Sequence, residues 1–109
     1  MRVLKFGGTS VGSAQRMKNV VKIISDGQQK IVVLSAMSGT TNSLLEIADY
    51  LYKKNPDGAN DLINALELKY FREIDELYDT KEYKAKALES IKQHFDYIRS
   101  LTRKLFTLF

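Results

Sequence analysis

The sequence predicts an α/β fold: a βαβ unit with a parallel strand pair, followed by a helical hairpin. Three observations predict it. Val3 to Phe6 and Ile31 to Ser35 are short apolar segments that read as strands. Between them, Ala14, Met17, Val21 and Ile24 recur at helical spacing. From Ala59 onward the apolar pattern is helical and no further strand pattern occurs.

The first strand is followed at once by glycines, and Gly27 is expected to close the first helix. Ile31-Val32-Val33-Leu34 is an unbroken apolar run, as expected of a strand covered on both faces. Strand, helix and strand in succession give a parallel pair through a crossover. A second helix is expected from Thr40 or Thr41, with Leu44, Ile47, Ala48 and Leu51 as its apolar face. Asn55-Pro56-Asp57-Gly58 contains the single proline of the chain and reads as a turn. Leu62, Leu66, Ile74 and Leu77 predict a third helix. Leu88, Ile91, Phe95, Ile98, Leu105 and Leu108 predict a longer fourth, with Asp79 and Thr80 as break and cap. The expected organisation is therefore a βαβ-type portion over 1–54 and a helical hairpin over 59–109.

Two parallel strands do not make a stable sheet by themselves. Leu105-Phe106-Thr107-Leu108-Phe109 is apolar and lacks a turn signal. Both features create the expectation of a piece of a longer protein. Alone, such a piece is expected to associate or to order poorly, because its sheet edge and apolar end lack partners.

Composition narrows the function classes. The 109 residues contain no cysteine and one histidine, which removes disulfides, thiolate metal sites and cysteine nucleophiles and argues against a zinc cage. No apolar run approaches the roughly 18 residues of a membrane helix, and residues 1–12 lack a signal-peptide core. A cytoplasmic location without membrane partners is the expectation. Residues 1–54 carry 8 Lys/Arg against 3 Asp/Glu, whereas residues 55–109 carry 9 against 10. Positive charge thus accompanies the glycine-rich half, which suits an anionic ligand. Tyr70, Phe71, Tyr78, Phe95 and Tyr97 could stack on nucleic acid. Their half is slightly acidic and its apolar residues keep helical spacing, so core packing is expected instead. His94 lies far along a helical segment and reads as a surface or packing residue.

The chemistry concentrates in Lys5-Phe6-Gly7-Gly8-Thr9-Ser10-Val11-Gly12, which joins the first strand to the first helix. Adjacent glycines let backbone amides approach an oxyanion, and the helix behind them adds the positive end of its dipole. Lys5, at the carboxyl end of the strand, brings a full charge to the edge where open α/β sheets bind ligands. The loop fits neither common phosphate motif. Gly7 and Gly8 are adjacent, so G-x-G-x-x-G is absent, and Ser13-Ala14 stands where a Walker A loop needs Lys-Ser/Thr.

This octapeptide resembles the N-terminal signature of the aspartokinases, within the amino acid kinase family. Leu34-Ser35-Ala36-Met37-Ser38-Gly39-Thr40-Thr41-Asn42 resembles the same family's Ser-Ala-x-x-Gly-x-Thr-Asn segment. The resemblance covers residues 2–42; no residue beyond carries comparable specificity. It implies a carbamate kinase-like parallel-sheet sandwich and ATP with Mg²⁺ as cofactors. It implies that Lys5 neutralises charge on the transferred phosphoryl group. Gly7 and Gly8 would place donors on nucleotide phosphates with Thr9 and Ser10 nearby, and Ser35 and Thr41 would contact L-aspartate. No metal ligand is implied within this chain. The implied reaction phosphorylates the side-chain carboxylate of aspartate, the first step toward lysine, threonine and methionine. That carboxylate has a pKa of about 3.9 and is ionised at neutral pH, so no general base is required.

Aspartokinases continue well past this length, and a glutamate-bearing segment, the nucleotide-base site and ACT modules would lie downstream. The full-length protein is expected to be a homo-oligomer, and the 109-residue piece to bind weakly without turnover. Two other functions fit the same residues: a family kinase acting on acylglutamate, carbamate or a nucleotide, or a non-catalytic module associating through the hairpin. Ser35 and Thr41 also have structural readings, as a strand end and a helix N-cap.

Overall fold

Ser13 starts the first helix by local chemistry. Its backbone is extended, with φ of −153°, and its hydroxyl accepts from the Arg16 amide at 3.3 Å. This satisfies one of the donors that a helix start leaves without an intrahelical partner. The computed structural model describes residues 1–108. Its elements are β1 (Arg2–Phe6), α1 (Ala14–Ile24), β2 (Lys30–Leu34), α2 (Thr40–Tyr52), α3 (Pro56–Leu77) and α4 (Lys81–Leu108). They form two compact units, one over residues 1–41 and one beginning at Asn42.

In the first unit, β1 and β2 pair in parallel from Arg2↔Lys30 to Phe6↔Leu34. Alternation along the strands puts Val3, Lys5, Ile31 and Val33 on one face of the sheet. Leu4, Phe6, Lys30 and Val32, on the other face, are partly covered. The first face is open: Val3 is 64%, Ile31 50% and Val33 44% exposed. The expectation that β2 is covered on both faces is therefore not met among the described residues. The reason is geometric, since one crossover helix can cover only one side of the sheet. The helical face also differs by one position, because Val20 is buried and Val21 is 51% exposed.

Gly27 does not close α1. Ser25 caps it, donating its amide to the Val21 carbonyl at 3.0 Å, and Gly27 takes φ of +74° in the turn beyond. The Lys30 ammonium, with its side chain 6% exposed, donates to the Ile24 carbonyl at 2.8 Å and pairs with Asp26. A lysine at a helix carboxyl end complements the dipole. Hydrogen bonds from Lys30 and from the Gln28 amide hold the Asp26 carboxyl below the ordinary carboxylate range. A lowered carboxyl stabilises fully above its unfolded pKa, about 3.9, and loses that contribution as pH falls through the folded value. Asp26→Asn is therefore expected to lower the urea midpoint at pH 6. The gap between variant and wild type should close as the titration continues below pH about 4.

In the second unit, α2 ends where Asn55 donates to the Tyr50 carbonyl at 2.9 Å and Lys54 to the Leu51 carbonyl at 3.1 Å. This is the Schellman pattern, and it places Lys54 in the left-handed region with φ of 55°. Glycine occupies that position without a Cβ penalty, so Lys54→Gly is expected to raise stability by about 0.5–1 kcal/mol in urea unfolding. The predicted turn at Asn55–Gly58 is instead a helix start. Asn55 accepts from the Gly58 amide at 3.0 Å, and Pro56 takes the first helical position, where no amide is needed.

Ile47, Ala59, Ile63, Leu66 and Phe95 form the buried centre of this unit, with Tyr70 edge-on to Phe95 at 5.8 Å. Arg99 fixes the hairpin register with both nitrogens on the Glu67 carboxylate, at 3.2 and 2.8 Å, and a 2.8 Å bond to Asn64. Phe95 confirms its expected core role, but Tyr97 is 64% exposed. Two helical residues span about 200°, which turns Tyr97 away from the core that Phe95 enters. The Leu108 side chain and Phe109, expected on the apolar end, lie outside the described residues. No described helix is long and apolar enough to cross a membrane.

Candidate functional site

The loop between β1 and α1 is held by its own hydrogen bonds. Ser10 and Val11 both donate to the Gly7 carbonyl, at 3.0 and 3.2 Å, and Gly12 donates to the Thr9 carbonyl at 3.4 Å. Among the described residues, the amides of Gly8 and Thr9 make no hydrogen bond. They are the two donors that the turn leaves available. The Gly8 carbonyl lies 3.0 Å from the point where a Gly12 Cβ would stand, so it is aimed into the turn. Carbonyl and amide oppose each other across a trans peptide, so the Thr9 N–H points outward.

Lys5 is exposed at the carboxyl end of β1 and forms no ion pair among the described residues. This separates it from Arg2 and Lys30, which both engage Asp26. Asp26 is also the one acid of residues 1–41. Nothing anionic in this unit therefore competes for Lys5.

The second segment lies against the first. The Ser35 amide donates to the Phe6 carbonyl at 3.0 Å, continuing the ladder one step past Leu34. A Cβ on Gly8 would stand 3.4 Å from the Ala36 carbonyl and 3.8 Å from the Ser35 hydroxyl. A Cβ on Gly12 would stand 3.1 Å from that of Ser38. Gly8 and Gly12 thus serve close approach between the two loops. Gly39, with φ of +85°, makes the turn before α2. Thr41 follows as the second residue of that helix, exposed at its amino end.

Lys5, Gly7, Gly8 and Ser35 share the carboxyl edge of the sheet. Thr9 and Ser10 lie on the α1 side, in an open groove of about 280 Å³ with Phe6, Arg16, Asn19, Val20 and Ile23. Lys5 neighbours Phe6 and projects to the opposite face. Arg16 is the residue that the motif reading missed. Its guanidinium donates to the Thr9 carbonyl at 2.7 Å, so a second cation flanks the loop. One signal could have found it: a cation in a first helical turn opposes the dipole, and α1 has no acid there to offset it. The arrangement offers an anionic ligand a cation on each side of the sheet edge and two unbonded amides. It offers no histidine, cysteine or free carboxylate for acid–base or nucleophilic work.

The amino acid kinase family model matches residues 1–106, and the chain belongs to that family. The chain is 39% identical over 74 residues to aspartokinase 2, chloroplastic, of Arabidopsis thaliana, covering 66% of this chain and 13% of that protein. It is 56% identical over 50 residues to an aspartate kinase of Pseudomonas fluorescens, covering 42% and 12%. It is 29% identical over 104 residues to the bifunctional aspartokinase/homoserine dehydrogenase, chloroplastic, of Daucus carota, covering 94% and 11%. The chain thus spans about an eighth of the length of these relatives.

Proposed function

We propose that this chain supplies the phosphate loop and part of the acceptor pocket of an aspartate kinase. The full-length protein would transfer the γ-phosphoryl group of ATP to the side-chain carboxylate of L-aspartate, giving 4-phospho-L-aspartate and ADP. One observation carries the reading: at one strand end, the described residues leave Lys5 without an ion pair and the Gly8 and Thr9 amides unbonded, with Ser35 on the adjoining strand. The named relatives support aspartate as the acceptor.

In this reading the carboxylate oxygen attacks the γ-phosphorus, a P–O bond forms, and the bond to the ADP oxygen breaks. The aspartate side chain is ionised at neutral pH and needs no base. Lys5 offsets charge on the transferred group, and the Gly8 and Thr9 amides hold nucleotide phosphate oxygens. Ser35 and Thr41 hydroxyls, able to donate and to accept, orient the amino acid. Mg²⁺, where such transfers use it, would offset phosphate charge. Residues 1–41 do not fit a carboxylate cage for it, because Asp26, their one acid, is engaged by Lys30 and Arg2. Homo-oligomeric assembly and a cytoplasmic location belong to the same proposal.

The test is a panel of acceptors offered to the full-length protein with ATP, with acyl phosphate trapped by hydroxylamine. Aspartyl hydroxamate should dominate. Preference for acylglutamate, carbamate or a nucleotide would move the assignment to another member of the family. Absence of any ATP-dependent product would remove the kinase reading.

A further inference from the structure

Arg16 donates a side-chain hydrogen bond to the glycine-rich loop, and the orientation of that bond assigns the residue a task. The guanidinium reaches back from the first turn of α1 to the Thr9 carbonyl at 2.7 Å. The same carbonyl receives the Gly12 amide at 3.4 Å, a long contact that alone holds it weakly. Thr9 is also the residue whose amide points out of the turn. The two peptide planes that meet at its Cα therefore do opposite things: one presents an outward donor and the other is anchored by Arg16. Anchoring one plane restrains the Thr9 backbone and thus the loop segment that carries the outward amide.

Arg16 is placed for this by its own backbone, whose amide is held by the Ser13 hydroxyl at 3.3 Å. The helix start, the arginine and the loop apex are thus one connected set. Arginine suits the task because its charge does not titrate and its fork has fixed geometry. It is exposed and makes no ion pair among the described residues.

We propose that Arg16 is a positioning residue for the phosphate loop. It fixes the Thr9 peptide so that the Gly8 and Thr9 amides converge on nucleotide phosphate, and it adds a second positive charge on the side of the sheet opposite Lys5. This inference rests on the kinase reading above and names a residue that reading does not use.

The experiment compares wild type, Arg16→Met and Arg16→Lys in the full-length protein. It measures kcat, KM for ATP and KM for aspartate, with melting temperature alongside. Arg16→Met is expected to lose about tenfold in kcat/KM for ATP, with KM for aspartate and melting temperature unchanged. Arg16→Lys should recover most of that loss, since an ammonium can reach the same carbonyl. Wild-type kinetics in Arg16→Met would overturn the proposal. So would a loss shared equally by both substrates and accompanied by a lower melting temperature, which would assign Arg16 to the fold alone. A wild-type protein that phosphorylates no acceptor overturns the kinase reading itself, and this inference with it.

Discussion

Lys5→Met in the full-length protein is expected to lower kcat for aspartate phosphorylation by about 10³-fold, the scale at which a charge-stabilising group aimed at a transition state acts. KM for aspartate should stay within about threefold, because Lys5 is assigned to the phosphoryl group and not to the acceptor. Methionine keeps most of the apolar stem and removes only the charge. Stability should not change, since Lys5 is exposed and has no partner among the described residues whose loss could destabilise the fold. Lys30 provides the contrast. Its buried ammonium caps Ile24 and pairs with Asp26, so replacing it would act on folding. Steady-state kinetics with a melting curve separates the two roles, and near-normal turnover in Lys5→Met would count decisively against the assigned chemistry.

Gly12→Ala is the second large effect expected, and it acts through space. Gly12 does not have a positive φ, so its conformation tolerates a side chain. The added methyl, however, would stand 3.0 Å from the Gly8 carbonyl and 3.1 Å from the Ser38 Cβ. Neither neighbour is the free end of a flexible side chain. One is backbone in the glycine-rich loop, and the other belongs to the segment carrying Ser35. The methyl must push the two loops apart, costing about 1–3 kcal/mol by overpacking. Displacing donors from acceptor by a fraction of an ångström to one ångström should also cost about 100-fold in kcat/KM for both substrates. Gly7→Ala is the control, because a Cβ there meets nothing within 4 Å. Urea unfolding of the two variants should show loss for Gly12→Ala and near-neutrality for Gly7→Ala.

The contrast between Gly7 and Gly12 also shows what a sequence can and cannot convey. The octapeptide marks the loop, but its letters do not say which glycine is crowded. That depends on how closely the Ser35–Ser38 segment approaches. Short apolar runs located the two strands, and helical periodicity located the four helices. That periodicity missed Val20 against Val21, since adjacent apolar residues fit a 3.6-residue repeat about equally well. Asn55-Pro56 was read as a turn although the same residues start helices, the asparagine as cap and the proline at the first position. Whether β2 is covered on both faces is a tertiary property that an apolar run cannot decide. Lys5 was legible because a cation before paired glycines has a chemical reason to be there. Arg16 was not, because its function depends on a carbonyl seven residues away that only the folded turn brings within reach.

Hydrogen–deuterium exchange of the full-length protein at saturating ATP, with occupancy confirmed independently, shows whether the loop amides hold the nucleotide. Exchange should slow at the Gly8 and Thr9 amides, with little change at Ser10 and Val11, which already donate to Gly7. Unaltered exchange at Gly8 and Thr9 in an ATP-saturated protein would contradict the assigned phosphate contacts, because the nucleotide would then be held without the loop.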